Sequence, residues 1–162
     1  MARVHEVLEG EWLTLQDEGT LCLNGLITCI GVSIYDQQTK KGYVGHFNAT
    51  TFDASQRDEP NSLPNMIKQA ASEINALDHT QLWVGGGLIL TGEAQDYGHV
   101  QETLDILNTQ TRDFRYKTID TLWQFILQGE STSIRWLEGD FVSVNYSLNV
   151  ANGLESEFVY DN

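Results

Sequence analysis

Cys29-Ile30-Gly31-Val32-Ser33-Ile34-Tyr35-Asp36, then Gln37-Gln38-Thr39-Lys40-Lys41, then Gly42-Tyr43-Val44-Gly45-His46-Phe47 is the stretch that decides the fold. Ile30, Val32 and Ile34 alternate with Gly31, Ser33 and Tyr35, the period-two pattern of a half-buried strand. The polar turn 37–41 separates it from a second short strand, so the two are expected to pair side by side. In that pairing the start of the first strand and the end of the second share one sheet edge. Cys29 and His46, seventeen positions apart, then come to the same place. A histidine within hydrogen-bond reach stabilises a thiolate, the form of cysteine that attacks carbonyls and amides.

Upstream, Trp12 to Leu15 and Thr20 to Leu23 read as strands, and Asn24-Gly25 between apolar neighbours is a hairpin signal. Downstream, Pro60-Asn61-Ser62-Leu63-Pro64 reads as a loop leading into a helix, with Ser62 as cap and Pro64 in the first turn. Leu63, Met66, Ile67, Ala70, Ile74 and Leu77 recur at helical spacing, a core-facing stripe, and Asp78 and His79 are expected to close the helix. Leu82-Trp83-Val84, Gly85-Gly86-Gly87 and Leu88-Ile89-Leu90 form a buried strand whose glycines permit close backbone approach or positive φ. Neither GxGxxG nor GxxxxGK[ST] is met there, which argues against a nucleotide site.

A second helix is expected from about Asp96 to Asn108. Phe114 to Ile119 reads as a strand, and Leu122 to Leu127 as either a buried strand or a short helix. Ser133 to Leu137 and Phe141 to Tyr146, around Glu138-Gly139-Asp140, read as a terminal hairpin, and the polar tail from Ala151 is expected to fray. Strands, helix, strand, helix, strands is the order of an α+β domain with helices on a mainly antiparallel sheet or pair of sheets.

At 162 residues, 41% apolar with four tryptophans and two prolines, the chain suits one domain, since domains run on the order of 100–150 residues. Nine Lys and Arg against 23 Asp and Glu leave a net charge of −14, which repels phosphate backbones and argues against nucleic-acid and anionic-membrane partners. The acidity is otherwise a solvated exterior that favours solubility. Acidic residues interrupt the first nine positions, so no signal peptide is expected. The longest apolar stretch, Leu21 to Tyr35, falls short of the roughly 20 residues of a spanning helix. Two cysteines are too few for a disulfide scaffold, and a cytoplasmic protein with free thiols is expected.

His5, His46, His79 and His99 form no close zinc pair with the two cysteines, so neither metal nor cofactor is expected. No GxSxG elbow is present. Cys22 has no histidine counterpart and reads as packing, and Asp36 as a turn residue. That leaves Cys29 as nucleophile and His46 as proton carrier. Asn24 or Thr28 is a candidate to hold the imidazole or an oxyanion, a task a backbone N–H near Cys29 performs equally well.

Thr28 to Asp36 followed by Lys41-Gly42-Tyr43-Val44-Gly45-His46-Phe47 resembles the opening half of the chemoreceptor glutamine deamidases, the CheD family, in which a cysteine heads such a strand and a histidine follows at this spacing. Leu82 to Gly87 before a helix, and Ser133 to Val144, are similar to that family's glycine-rich strand and closing hairpin, so the likeness runs from about Leu13 to Tyr146. It implies a layered α-β-β fold and a cysteine hydrolase that removes ammonia from glutamine side chains of a protein substrate in chemotaxis, with a possible regulatory protein partner. Some bacterial deamidase toxins share the architecture. The chain departs from the pattern at Leu23, where the family carries a catalytic threonine, at Leu26-Ile27-Thr28, where small residues are usual, and at Leu122 to Gln128, where a glycine-rich turn is typical. Two alternatives stay open: a deamidase-like module that binds a partner protein without turnover, and an effector-like deamidase with another target.

Overall fold

A computed structural model describes residues 3–48, 60–91 and 101–161. Its elements are β1 (Val4–Glu6), β2 (Glu11–Gln16), β3 (Thr20–Leu26), β4 (Ile30–Asp36), β5 (Lys41–Phe47), α1 (Leu63–Glu73), β6 (Thr80–Leu90), α2 (Gln101–Thr121), α3 (Trp123–Gln128), β7 (Ser131–Gly139), β8 (Val142–Asn149) and β9 (Leu154–Asp161). The strands form two sheets, a five-stranded one ordered β2-β5-β4-β6-β7 and a four-stranded one ordered β1-β3-β8-β9. Among the described residues β1 with β3 and β6 with β7 run parallel and the other five pairings are antiparallel. The fold is α+β, as the order of sequence signals predicts.

β4 is buried along its whole length because both of its faces are covered. Ile30, Val32 and Ile34 pack with Tyr43 and Phe47 against Leu63, Met66 and Ala70 of α1, Phe114 of α2 and Phe125 of α3. On the opposite face Tyr35, Val44 and Trp83 meet Leu21, Leu23, Val144 and Leu148 of the second sheet. The small residues of β4 serve this second contact: a side chain at Gly31 would lie 2.5 Å from Leu23 and 2.6 Å from Leu26. Ser33 accepts a hydrogen bond from the Tyr146 hydroxyl (2.8 Å), so one of the polar groups between the sheets is satisfied in place.

The predicted hairpin is present. β4 and β5 pair from Ile30↔Phe47 through Gly31↔His46 to Asp36↔Lys41, and Asp36 holds the turn by accepting from Gln38 N–H (3.1 Å) and the Thr39 hydroxyl (2.8 Å). The helix start is also as expected: Ser62 caps α1, accepting from Asn65 N–H at 3.3 Å, with Pro64 in the first turn. That helix ends at Glu73, however, and Leu77–His79 form a separate 3₁₀ turn.

Four expectations are corrected. Asn24-Gly25 is not a hairpin turn but a bulge inside β3, with Gly25 at φ 65° donating its N–H to Asn145 Oδ1 (2.7 Å). β3 pairs with β8 and β2 with β5, so the positive-φ glycine bends a strand rather than joining two. Phe114 to Ile119 is helical, part of α2, whose expected start at Asp96 lies outside the described residues. Its buried face is carried by Asn108, Thr111, Phe114 and Thr118, and half-polar periodicity hides a helix from an apolar-pattern reading. Thr111 and Thr118 are satisfied by donating to the carbonyls of Leu107 (2.9 Å) and Phe114 (2.8 Å) one turn back. β7 and β8 do not form a hairpin: β7 extends the five-stranded sheet and β8 joins the other, the chain crossing between them at Gly139 (φ 143°) and Phe141 (φ 56°). The tail does not fray but forms β9, paired with β8 from Val142↔Asp161 to Asn149↔Leu154.

Candidate active site

The glycine-rich strand exists to seat the cysteine. Cys29 lies immediately before β4, in the link that carries the chain from the second sheet to the first. Two N–H groups of β6 hold that link, Gly87 donating to Cys29 O (2.9 Å) and Leu88 to Ile27 O (2.8 Å). A Cβ at Gly86 would sit 2.2 Å from Cys29 O, and Gly86 and Gly87 have φ of 91° and 57°, so no larger residue lets the two backbones come this close. Arg115 of α2 fixes the same turn, its Nε–H donating to Gly87 O (2.7 Å) and its Nη2 to Leu137 O (2.6 Å).

Extending the β4–β5 register beyond Ile30↔Phe47 puts Cys29 next to Asn48 and diagonal to His46. The thiol and imidazole thus reach one edge of the sheet, but they are not hydrogen-bonded to each other. The segment between β1 and β2 contacts both. Val7 N–H donates to Cys22 O (2.8 Å) and Gly10 N–H to His46 O (2.8 Å), which stretches residues 7–10 across the two sheets. His46 Nδ1 lies 3.3 Å from Val7 O. A carbonyl only accepts, so Nδ1 is the donor in this contact and Nε2 is the ring nitrogen it leaves unengaged.

Glu9, at the crest of that segment, is the residue bound to the thiol. Its Oε1 accepts from Cys29 Sγ (3.5 Å) and from Asn48 Nδ2 (3.0 Å). The Asn48 and Cys29 hydrogen bonds, with a smaller contribution from His46, hold the Glu9 carboxyl below its ordinary range. The thiol moves the other way. Burial and then the Glu9 charge push Cys29 up to about 12, so it rests as a thiol, not as the thiolate that a direct Cys–His pair supports.

Cys29 and Asn48 line a cleft of about 140 Å³ whose walls include Thr28, Leu88, Asn108 and Phe114. Asn108 is spent structurally, its Nδ2 donating to Leu90 O (2.9 Å) and its Oδ1 accepting from Leu90 N–H (3.0 Å). Of the four residues singled out by sequence, Cys29 and Thr28 share the cleft and His46 is buried on β5 outside its lining, whereas Asn24 is exposed beside the bulge with its Nδ2 3.9 Å from Cys22 Sγ. Asn24 therefore supports the packing cysteine and not Cys29. Glu9 and Asn48 escaped the sequence reading. The strand register points to Asn48, but nothing local marks Glu9, which long-range backbone bonds deliver.

Among the described residues no group of three or more His, Cys, Asp or Glu is gathered to hold a metal ion, and no helix is long and apolar enough to cross a membrane; His99 lies outside them. A scan against protein-family models and a search of curated proteins both find no match.

Proposed function

We propose that the chain is a cysteine-dependent protein-glutamine deamidase of the chemoreceptor-deamidase type, acting on a glutamine side chain presented by another protein. The observation that carries the reading is the thiol of Cys29 at the lining of a cleft, already hydrogen-bonded to a γ-carboxyl oxygen, with an imidazole on the adjacent strand. Cys29 Sγ attacks the carboxamide carbon and passes its proton to His46 Nε2, the ring nitrogen not engaged by Val7 O. His46 returns that proton to the departing nitrogen, so that ammonia leaves and a thioester remains. Water adds to the thioester with His46 as base, releasing the carboxylic acid and restoring the thiol. Asn48, which already binds the Glu9 oxygen, and Thr28 at the cleft wall are the donors available to the oxyanion in place of the threonine replaced by Leu23.

The layered arrangement of helices, five-stranded sheet and four-stranded sheet supports the CheD-like assignment, as does the seventeen-residue spacing. One observation favours a second reading, a binding module without turnover: the thiol is paired with a carboxylate and pushed up to about 12.

Incubation with a mixture of glutamine-bearing peptides, read by mass spectrometry for conversion of amide to acid, separates the two. Conversion is expected with the parent protein, is lost in Cys29→Ser, and falls at least a hundredfold in His46→Ala, the scale of a lost general acid-base. Equal peptide masses with parent and Cys29→Ser reject the enzyme.

A further inference from the structure

We infer that Glu9 is a built-in product analogue: its side chain fills the place of the substrate glutamine and must leave before substrate enters. The inference rests on the deamidase reading and adds what regulates the site. Deamidation of glutamine yields glutamate, so a glutamate side chain whose γ-carboxyl oxygen contacts the nucleophilic thiol stands as the enzyme's own product would stand before release. One oxygen of that carboxyl accepts from both Cys29 Sγ at 3.5 Å and Asn48 Nδ2 at 3.0 Å. The backbone around it is anchored independently of the side chain, by Val7 N–H on Cys22 O and Gly10 N–H on His46 O. Glu9 itself is exposed, so its side chain has room to swing out while residues 7–10 stay in place.

The same geometry describes the substrate. A γ-carboxamide reaching the thiol along this path comes from an exposed, extended segment that passes the end of β5, which fits a glutamine in a loop or strand of another protein rather than free glutamine. The internal side chain competes for the same two donors. Its removal by Glu9→Ala is expected to lower KM for glutamine peptides about fivefold to tenfold, the worth of one or two exposed hydrogen bonds, with kcat little changed.

Glu9→Gln gives the sharper test, because it places a carboxamide on the thiol of the same molecule. The purified variant is followed over days by the mass of the peptide containing residue 9, beside the double variant Glu9→Gln, Cys29→Ser, and both are assayed on glutamine peptides. The expected result is conversion of residue 9 to glutamate in the single variant and none in the double. If residue 9 keeps its amide while the variant converts peptides, the deamidase reading stands and the product-analogue role is overturned. If neither residue 9 nor any peptide is converted, the deamidase reading falls and the role falls with it. Because Glu9 is exposed and its backbone contacts do not involve the side chain, a melting temperature equal to that of the parent protein is expected for Glu9→Gln.

Discussion

Cys29 is expected to alkylate at least tenfold more slowly at pH 8 in the folded protein than in urea, and Glu9→Gln is expected to bring the rate up. Its thiol is pushed to about 12 first by burial and then by the Glu9 charge and hydrogen bond. Against an ordinary thiol this lowers the thiolate fraction by about a thousandfold, and the greater intrinsic nucleophilicity of a more basic thiolate returns only part of that. Glu9→Gln removes the charge but not the burial, so the pH profile of alkylation moves down without reaching that of an exposed cysteine. The sign carries over to stability. The unfolded thiol ionises before the folded one, so this contribution is complete below about pH 9, the ordinary thiol value, and is lost as pH rises toward 12. Iodoacetamide kinetics at a series of pH values, with Cys29 located by peptide mass, reads the effect directly. Fast alkylation of the parent at pH 8, unchanged in Glu9→Gln, contradicts the thiol–carboxylate pair.

Gly86→Ala is the most damaging single substitution expected in the scaffold of the site. A Cβ there falls 2.2 Å from Cys29 O, and φ at Gly86 is 91°. Neither partner yields easily, because Cys29 O is held by Gly87 N–H and the turn by Arg115. Strain and clash together cost about 3–5 kcal/mol, which for a chain of this length lowers Tm by about 10 °C. Gly25→Ala is the control: φ is 65° but nothing lies within 4 Å of its Cβ, so it carries the backbone cost alone, about 1 kcal/mol. Thermal melts of the two variants that coincide show that the close approach of β6 to Cys29 is not what Gly86 provides.

How far the sequence reveals this molecule follows from where each signal resides. The β4–β5 hairpin is legible because its apolar alternation, its polar turn and its two strands are contiguous, and register then follows from the turn. The cap of α1 is legible for the same reason. α2 is not, since two threonines and an asparagine face the core there, the threonines satisfied one turn back along the helix and Asn108 by Leu90 of β6, leaving no apolar stripe to read. Asn24-Gly25 misleads because positive φ serves a bulge as well as a turn, and only the distant Asn145 decides between them.

The candidate site divides similarly. The shared sheet edge of Cys29 and His46 is a consequence of local register and is legible, whereas the state of the thiol is not. Burial pushes the thiol's pKa up, and Glu9, which reaches the thiol through contacts between residues 20 and 39 positions apart, adds to that rise. A reading of two residues finds a thiolate pair, whereas burial and the third residue together leave a resting thiol.

Covalent chemistry at Cys29 is most directly measured on Glu9→Ala, which opens the site, by mixing the protein with glutamine-bearing peptides, quenching in acid and weighing the peptide that contains Cys29. The predicted result is an adduct equal to a substrate peptide less ammonia, discharged by hydroxylamine and absent when Cys29 is also serine. An unmodified Cys29 peptide, from a protein whose thiol alkylates freely and whose peptides all keep their amides, contradicts catalysis and leaves a domain that binds without turning over.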